Sequence, residues 1–271
     1  MGRLWTRRHN AGHIGGVLFR VVSCEAPMIR ARLVARLSGC LVALTVAMPL
    51  AAQEIGGAGY VEPTDAYGHG AVGDGEHVGL RIALTDGTAQ TIRFDGAVYE
   101  DTRPRLVDLD GEGGFEVVAV LSGYDVGAMI QIVDLVDGKA RVVAMTDPIG
   151  QRHRWLAIAG IADFDGDGTQ DIAYVDRPHL AKVLRVVSVR PGQTMTFVSM
   201  AEAPGLTNHH LGSDVIEGGV RTCAGAAPVV VTADADWRDV VKTRWADGGL
   251  VSEVVGAYDG PRSLADRLRC N

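Results

Sequence analysis

Acidic residues at alternate positions, interrupted by two glycines, are the part of this chain with the clearest chemistry. In the segment 163–171 carboxylates occupy positions 1, 3, 5 and 9, namely Asp163, Asp165, Asp167 and Asp171. A hard divalent cation such as Ca²⁺ binds six or more oxygen atoms, so alternate side chains must turn inward while glycine lets the backbone curl behind them. The sequence therefore predicts a calcium loop, with the carbonyl of Thr169 as a further ligand.

The residues after this loop distinguish it from an EF-hand loop, which begins in the same way. An EF-hand requires a carboxylate at position 12 and a helix afterwards. Position 12 is Tyr174, and the exit residues 172–175 are apolar and favour β-structure. We therefore predict a calcium loop that lies between two β-strands.

The same acidic pattern occurs once more, 55 residues earlier, in the segment 108–116. Its candidate ligands stand at the same four positions and are Asp108, Asp110, Glu112 and Glu116. A fixed period of this size is typical of repeat proteins, in which one supersecondary unit cannot bury its apolar face alone. The two copies predict units of one design.

Four hairpin turns extend this period along the chain. Asp-Gly or Pro-Gly pairs follow β-rich runs at residues 86–87, 137–138, 191–192 and 247–248. Uninterrupted apolar runs, typical of strands covered on both faces, occupy residues 117–121, 172–175 and 228–232. Together these patterns predict an all-β chain of about four similar units.

The first 52 residues differ from the rest, with seven arginines, one acidic residue and a long apolar run. Basic residues after Met28, an apolar core and the small residues up to Ala52 predict a secretory signal peptide over residues 28–52. A transmembrane anchor is the alternative, although the uncharged run 37–52 is short for a bilayer. Residues 1–27 precede a signal that is normally terminal, so we interpret them as an extension assigned in error.

Charge limits the partners of the processed chain. Residues 53–271 contain 19 basic and 32 acidic residues, a formal charge of −13. Such an excess argues against nucleic acid and anionic membranes as partners. We expect an exported protein, periplasmic or secreted, with no membrane insertion after cleavage and with an extracellular or periplasmic protein or glycan as its partner.

Two of the four cysteines, Cys223 and Cys270, lie beyond the signal peptide. In an oxidising compartment such a pair predicts a disulfide. An alignment of residues 216–223 with residues 161–168 places Cys223 in a fourth loop that has lost its carboxylates, with Gly218 and Val220 where the first two aspartates stand. We interpret the disulfide as a covalent substitute for the missing ion.

The two acidic motifs and the apolar strands after them resemble the FG-GAP/VCBS repeats, the blade repeats of integrin-α-like β-propellers. Aliphatic-Gly pairs stand where that family has Phe-Gly, at residues 72–73, 149–150 and 211–212. The resemblance is best over residues 104–190. It implies a single propeller-like domain over residues 53–271 with about four blades, structural Ca²⁺ in the acidic loops, and a binding role at the cell exterior without one characteristic reaction.

Histidines near predicted loops are the other candidates for chemistry, because a propeller gathers equivalent loops at one end. They are His69, His153, His179, His209 and His210. From these and a nearby acidic turn we predict a ligand-binding set of His69, His209, His210, Asp234 and Asp236. Repeat symmetry alone would gather such residues, and no nucleophile elbow or zinc-binding His pair is present. We therefore favour a binding or structural role, with a periplasmic polysaccharide hydrolase or lyase as the alternative.

Overall fold

The computed structural model describes residues 53–192 and 194–270. The predicted signal peptide and the extension before it lie outside these residues. The described chain is almost entirely β-structure, which confirms the predicted all-β class. Within it, neither of the two short helical segments is long or apolar enough to cross a bilayer.

The strands follow one another with short connections. In chain order they are β1 (Ile55–Thr64), β2 (Glu76–Leu84), β3 (Ala89–Arg93), β4 (Ala97–Tyr99), β5 (Arg105–Val107), β6 (Glu116–Gly123), β7 (Gly127–Val136), β8 (Lys139–Met145), β9 (Leu156–Ala162), β10 (Asp171–Asp176), β11 (Val183–Arg190), β12 (Thr196–Pro204), β13 (Leu206–Thr207), β14 (Gly219–Arg221), β15 (Val229–Asp234), β16 (Asp239–Ala246) and β17 (Gly249–Ala257).

These strands form three antiparallel sheets. The first has the order β1-β2-β4-β6-β7-β8, with β3 beside β2 and β5 beside β6. The second has the order β12-β11-β10-β9, and the third has the order β13-β15-β16-β17 with β14 beside β15. None of the three closes on itself within the described residues.

All four predicted hairpins are confirmed, since β2 pairs with β3, β7 with β8, β11 with β12 and β16 with β17. At two of the turns both central residues have positive φ: 52° and 71° at Asp137 and Gly138, and 53° and 79° at Asp247 and Gly248. Such turns match the right-handed twist of the flanking strands. Asp-Gly is favoured there because aspartate tolerates left-handed backbone and glycine adopts it freely.

The inner strand β6 is buried on both faces, as its apolar run predicts. Val117, Ala119 and Leu121 face a core shared with β1, β2 and β4. Val118 and Val120 face a second core, shared with β9, β10 and β11. Because successive side chains point to opposite faces of a strand, an uninterrupted apolar run supplies two cores at once.

The same alternation occurs in the later inner strands. In β10, Ile172 belongs to the core shared with the first sheet, whereas Ala173 and Val175 face the third sheet. In β15, Val230 faces the second sheet, whereas Val229 and Val231 face the end of the chain. The sheets are therefore packed face to face in series, with each inner strand dividing its residues between neighbouring cores.

The end of the chain covers the outer face of the third sheet. A short helix, α1 (Pro261–Ala265), places the fully buried Leu264 against Val229, Val231 and Val240. A 3₁₀ turn, Asp266–Leu268, follows and packs against β14. It leads to Cys270, which is joined to Cys223 with the two Cα atoms 5.7 Å apart.

The predicted alignment of the fourth loop is wrong. Val220 belongs to β14, which pairs with β15 from Gly219 opposite Val231 to Arg221 opposite Val229. The loop in this position therefore begins at Thr222, immediately before the disulfide. Without carboxylates, nothing in the residue types marks the first residue of the loop, so the alignment anchored on Ile216 was displaced.

Replacement of both cysteines by alanine should lower the free energy of unfolding by about 2–4 kcal/mol, because the disulfide closes a long loop and so reduces the entropy of the unfolded chain. Denaturant unfolding of residues 53–271 measures this change. The wild-type protein under reducing conditions is the matched control and should lose the same amount. Equal stability of the oxidised wild type and the double variant would contradict the prediction.

Candidate functional site

Both acidic loops connect adjacent antiparallel strands. Residues 108–115 join β5 to β6, and residues 163–170 join β9 to β10. Position 12 of the second loop, Tyr174, lies within β10. The prediction that a buried strand follows each loop, in place of the helix of an EF-hand, is confirmed.

The two loops share four internal hydrogen bonds. The position-1 carboxylate accepts the amides of positions 4 and 6, at 2.8 and 2.9 Å in the loop 163–171 and at 2.7 and 3.1 Å in the loop 108–116. The position-3 carboxylate accepts the amide of position 5, and the position-9 carboxylate accepts the amide of position 2. The glycines at positions 4 and 6 all have positive φ, between 76° and 92°. The sequence repeat is therefore also a repeat of backbone geometry.

Three carboxylates of each loop converge. Oxygen atoms from positions 1, 3 and 9 lie within 4.8 Å of one another, in the sets Asp163, Asp165 and Asp171 and Asp108, Asp110 and Glu116. In both sets the position-9 acid is the first residue of the inner strand and is buried. The two sets present only oxygen donors, which is the donor type that a hard cation requires.

The loops supply only part of the hydrogen bonding that the buried position-9 carboxylates, Asp171 and Glu116, require. Asp171 accepts the amide of Phe164 at Oδ2, whereas its buried Oδ1 accepts no hydrogen bond of normal geometry in the described structure, although the Ser188 hydroxyl on β11 is near enough to lower the pKa of this carboxyl. Burial raises the pKa of Asp171, and it raises the pKa of Glu116 to about 7. A buried carboxylate with an unpartnered oxygen is costly unless a cation or donor compensates it. A cation bound beside Oδ1 of Asp171 would compensate the charge of this carboxylate.

The other predicted ligands lie at the edge of the loops. The Asp167 carboxylate turns outward to Arg190, with Oδ2 2.5 Å from the guanidinium, and this hydrogen bond lowers the pKa of Asp167. Thr169 donates its amide to Oδ1 of Asp167. The side chain of Glu112 is exposed and, within the described residues, has no partner. Asp167 and Glu112 therefore stand outside the three-carboxylate sets.

A cleft of about 240 Å³ lies at the end of β9 and β10 that is remote from the acidic loop. In this strand pair Ala162 is opposite Asp171 beside the loop, and Leu156 is opposite Asp176 at the other end. Residues just before β9 and just after β10 therefore meet at that other end, where two further loops join them. We call this the histidine cleft; its lining residues are His69, His153, Arg154, Trp155, Arg177, Pro178, His179, Leu180 and Leu211.

Two buried carboxylates position His69. Its amide donates to Oε1 of Glu76 at 2.8 Å, and its ring Nδ1 lies 2.7 Å from Oε1 of Glu100, which is 1% exposed. The Ser122 hydroxyl donates to the other oxygen of Glu100. The contact lacks hydrogen-bond geometry, so Glu100 acts on the ring through its charge, which favours a proton on Nδ1. The ring stacks on that of His153, with centroids 4.9 Å apart.

A chain of hydrogen bonds fixes the tautomer of His179. The buried His209 donates from Nε2 to the carbonyl of Ser213 at 2.9 Å, so its Nδ1 accepts the Nε2–H of His179 at 3.0 Å. The Nδ1 atom of His179 is then unprotonated, and it has no partner within the described ranges. Burial, together with the nearby His209, lowers the pKa of His179 to about 4, so this ring is neutral at pH 7.

Trp155 forms the floor of the histidine cleft. It is 2% exposed, and its indole N–H donates to the carbonyl of Glu100 at 2.6 Å. Its ring stacks against His179 and meets the ring of His209 edge-on. Trp155 therefore contacts both histidine groups of the cleft. It bonds to the backbone of Glu100, whose carboxylate lies against His69, and its ring packs on His179 and His209.

The backbone of the cleft is strained at two lining residues. His153 and Arg177 have φ values of 56° and 48°, in a region that residues with large side chains rarely adopt. The His153 amide donates to the Tyr67 hydroxyl at 2.7 Å, and the Arg177 amide donates to the Trp155 carbonyl at 2.9 Å. Surrounding hydrogen bonds thus enforce conformations that cost free energy, as is common at ligand sites.

The structure brings only part of the predicted ligand-binding set together. His69 lines the cleft, and His209 lies behind His179. The other three members lie outside the lining. The exposed His210 stacks on Trp237. Asp234 accepts backbone amides within its own turn, and Asp236 is exposed.

Sequence reasoning missed the two arginines of the cleft and Glu100. Arg154 and Arg177 flank β9 and β10, so a correct strand pairing would have placed them together. Glu100 belongs to an earlier unit, and nothing in its sequence surroundings indicates the contact with His69.

The contribution of His179 to stability should be lost as the pH is lowered from about 6.5 to about 4, because the unfolded chain takes up a proton at an ordinary histidine pKa whereas folded His179 does so only at a pKa of about 4. Glu116, whose pKa is raised to about 7 in the folded chain, stabilises the protein as the pH falls over part of the same range, so the contribution of His179 is read from the difference between wild type and variant. His179→Gln should remove this contribution relative to wild type in the same buffers. Denaturant unfolding at several pH values measures the difference, and NMR titration of the His179 ring measures the pKa directly. A midpoint near 6.5 would contradict the prediction.

Comparison with protein families and with curated proteins gave no match. The likeness to FG-GAP/VCBS repeats therefore rests on the two acidic loops and the strands that follow them, and a functional conclusion has to be built from the geometry of the loops and the cleft.

Proposed function

We propose that this chain is an exported, calcium-stabilised repeat protein with about four propeller-like blades, and that it binds an extracellular or periplasmic glycan or protein. One observation carries the proposal: the two acidic loops repeat the same hydrogen bonds and converge three carboxylates each. Repeated, oxygen-only cation sites between strands are what the resemblance to FG-GAP/VCBS repeats implies.

The donor sets fit Ca²⁺. Asp163, Asp165 and Asp171 would hold one ion, and the buried Oδ1 of Asp171 would gain the partner that it otherwise lacks. Asp108, Asp110 and Glu116 would hold a second ion. The resemblance adds the Thr169 carbonyl, Asp167 and Glu112 as outer ligands. Bound Ca²⁺ would neutralise the repelling carboxylates and fasten each loop to the inner strand that follows it.

Contacts between the first and last units support a ring-like arrangement. Gly212 donates its amide to the carbonyl of Ala71 at 2.8 Å, and Gly73 donates to the carbonyl of Ser213 at 3.2 Å. Between the second and third sheets, β9 approaches β14 so closely that a Cβ atom at Gly160 would lie 2.5 Å from Val220. On the outer side, α1 covers the last sheet, which favours a ring that is partial on that side.

The histidine cleft is the place where we expect the ligand to bind. Its lining comes from loops of three units: one before β2, two around the β9–β10 pair, and one after β13. Loops from a rigid β-scaffold that converge on one concave site are the usual location of binding residues. The disulfide supports an oxidising compartment and hence export.

A second candidate function, a polysaccharide lyase or hydrolase, is favoured by the two positioned imidazoles. His179 is oriented by His209 and keeps an unprotonated Nδ1 that suits a general base, and His69 lies against the carboxylate of Glu100. Most glycoside hydrolases instead require a pair of carboxylates. Among the described residues no carboxylate lines the cleft, so elimination fits the site better than hydrolysis.

Excess chelator should lower the melting temperature by about 5–10 °C, because loss of a ligand bound only by the folded state removes a few kcal/mol of stability. The Asp163→Asn, Asp171→Asn double variant should lose a large part of this response, and adding Glu116→Gln should remove most of the remainder. Asp137→Asn with Asp247→Asn is the matched control, since asparagine tolerates those turns. Melting that is unchanged by chelator in the wild type would overturn the calcium proposal.

Turnover distinguishes the two candidate functions. Polygalacturonate and alginate are incubated with the protein in Ca²⁺, and an unsaturated product is followed by ultraviolet absorbance. If the protein is a binding module, it should bind these polymers and form no product. Product formation that His179→Gln abolishes, while the variant keeps the wild-type melting temperature, would instead establish the lyase.

A further inference from the structure

We propose that the histidine cleft recognises a carboxylate on a small saccharide unit, so that the ligand is an acidic glycan containing uronate residues. This inference rests on the proposal that the protein is a binding module and names the chemistry of its ligand. It does not depend on the acidic loops, which lie at the other end of β9 and β10.

The cations of the lining contrast with the charge of the whole chain. Three histidines and two arginines line the cleft, and none of the described lining residues is acidic. His179 is neutral at pH 7, and the carboxylates of Glu100 and Asp176 lie against His69 and Arg177. The positive charge that remains for a ligand is therefore that of Arg154, in a chain whose full sequence carries a formal charge of −7. A local cation in an acidic protein attracts an anionic group on a ligand that enters the cleft.

Arg154 is the lining residue with charge available for a ligand. The Arg177 guanidinium already makes two hydrogen bonds to Asp176, at 2.8 and 2.9 Å. Arg154 makes one weak contact, 3.4 Å from the carbonyl of His153, and within the described chain it has no carboxylate partner. A guanidinium binds carboxylate through two parallel hydrogen bonds, which makes Arg154 the expected anchor.

Apolar side chains beside Arg154 indicate that the ligand is larger than a free inorganic anion and has an apolar face. Leu180 and Leu211 are 62% and 66% exposed although both line the cleft. A sugar ring has an apolar face that such side chains can cover, and an inorganic anion has none. The unprotonated Nδ1 of His179 adds an acceptor for a sugar hydroxyl group. Together the lining offers a cation, apolar contact and a hydrogen-bond acceptor, which matches a uronate.

The size of the cleft limits the bound unit. About 240 Å³ is below the range of pockets that enclose drug-sized ligands, so the cleft holds about one sugar unit at a time. Its open mouth at the ends of the strands allows a longer glycan to continue beyond it. We therefore expect a uronate within an oligosaccharide to bind at least as well as the monomer.

Isothermal titration of residues 53–271 in Ca²⁺ tests the inference with galacturonate, trigalacturonate and their neutral counterparts galactose and galactotriose. The acidic sugars should bind, and the neutral ones should bind at least about tenfold more weakly, because a charge-assisted hydrogen bond is lost. Sulfate, phosphate and acetate are titrated as separate arms to distinguish a saccharide site from a site for any small anion.

Arg154→Gln should weaken trigalacturonate binding about tenfold or more. Arg141→Gln, which removes an exposed cation from β8, is the matched control and should leave binding unchanged. Melting temperatures of both variants in Ca²⁺ check that each is folded, and Arg154→Lys replaces Arg154→Gln if that variant is not. The inference is overturned by equal affinity for acidic and neutral sugars, by binding of sulfate or phosphate in preference to uronate, or by undiminished binding in the folded Arg154 variant.

The calcium proposal and the uronate inference can fail separately. Chelator-insensitive melting with tight uronate binding would refute the structural cation and leave the ligand assignment standing. Chelator-sensitive melting without any uronate binding would support the structural cation and refute the ligand assignment.

Discussion

The burial of one acid at the start of each inner strand is the constraint on which this structure depends. Glu116 and Asp171 are the first residues of β6 and β10, and both are removed from solvent. Asp171 also pairs with residues of both neighbouring strands, Ala162 and Ser188. The loop folds back so that the Phe164 amide donates to this carboxylate, which connects the conformation of the loop to the strand that Asp171 begins.

The two ends of the β9–β10 strand pair differ in what they position. The acidic loop stabilises one end of the β9–β10 pair, and the other end is left to position Arg154, Arg177 and the cleft histidines. The rigid part between them is a short pair of strands whose side chains fill two cores. The hydrogen-bonded loop and the strained residues that line the cleft are therefore separated in space.

The sequence predicted what depends on local residue types. Asp-Gly turns, apolar runs and acidic loops act within a few residues of one another, and the strands and hairpins they indicate are present. The cleft depends on contacts across units. Glu100 reaches His69 over 31 positions, and no local pattern marks either partner. His209 and His210 were both predicted to bind a ligand because they lie near a predicted loop, yet His209 is buried and His210 is exposed, a difference that their adjacent positions in the sequence do not reveal.

The covering of the third sheet by α1 has a consequence for the order in which the molecule is completed. Val229 and Val231 are synthesised some thirty residues before Leu264, the side chain that shields them. Until residues 264–270 have been synthesised, that apolar face is not covered by Leu264 and Cys223 has no Cys270 to pair with. The third sheet therefore gains its cover and its disulfide later than the two sheets that precede it along the chain.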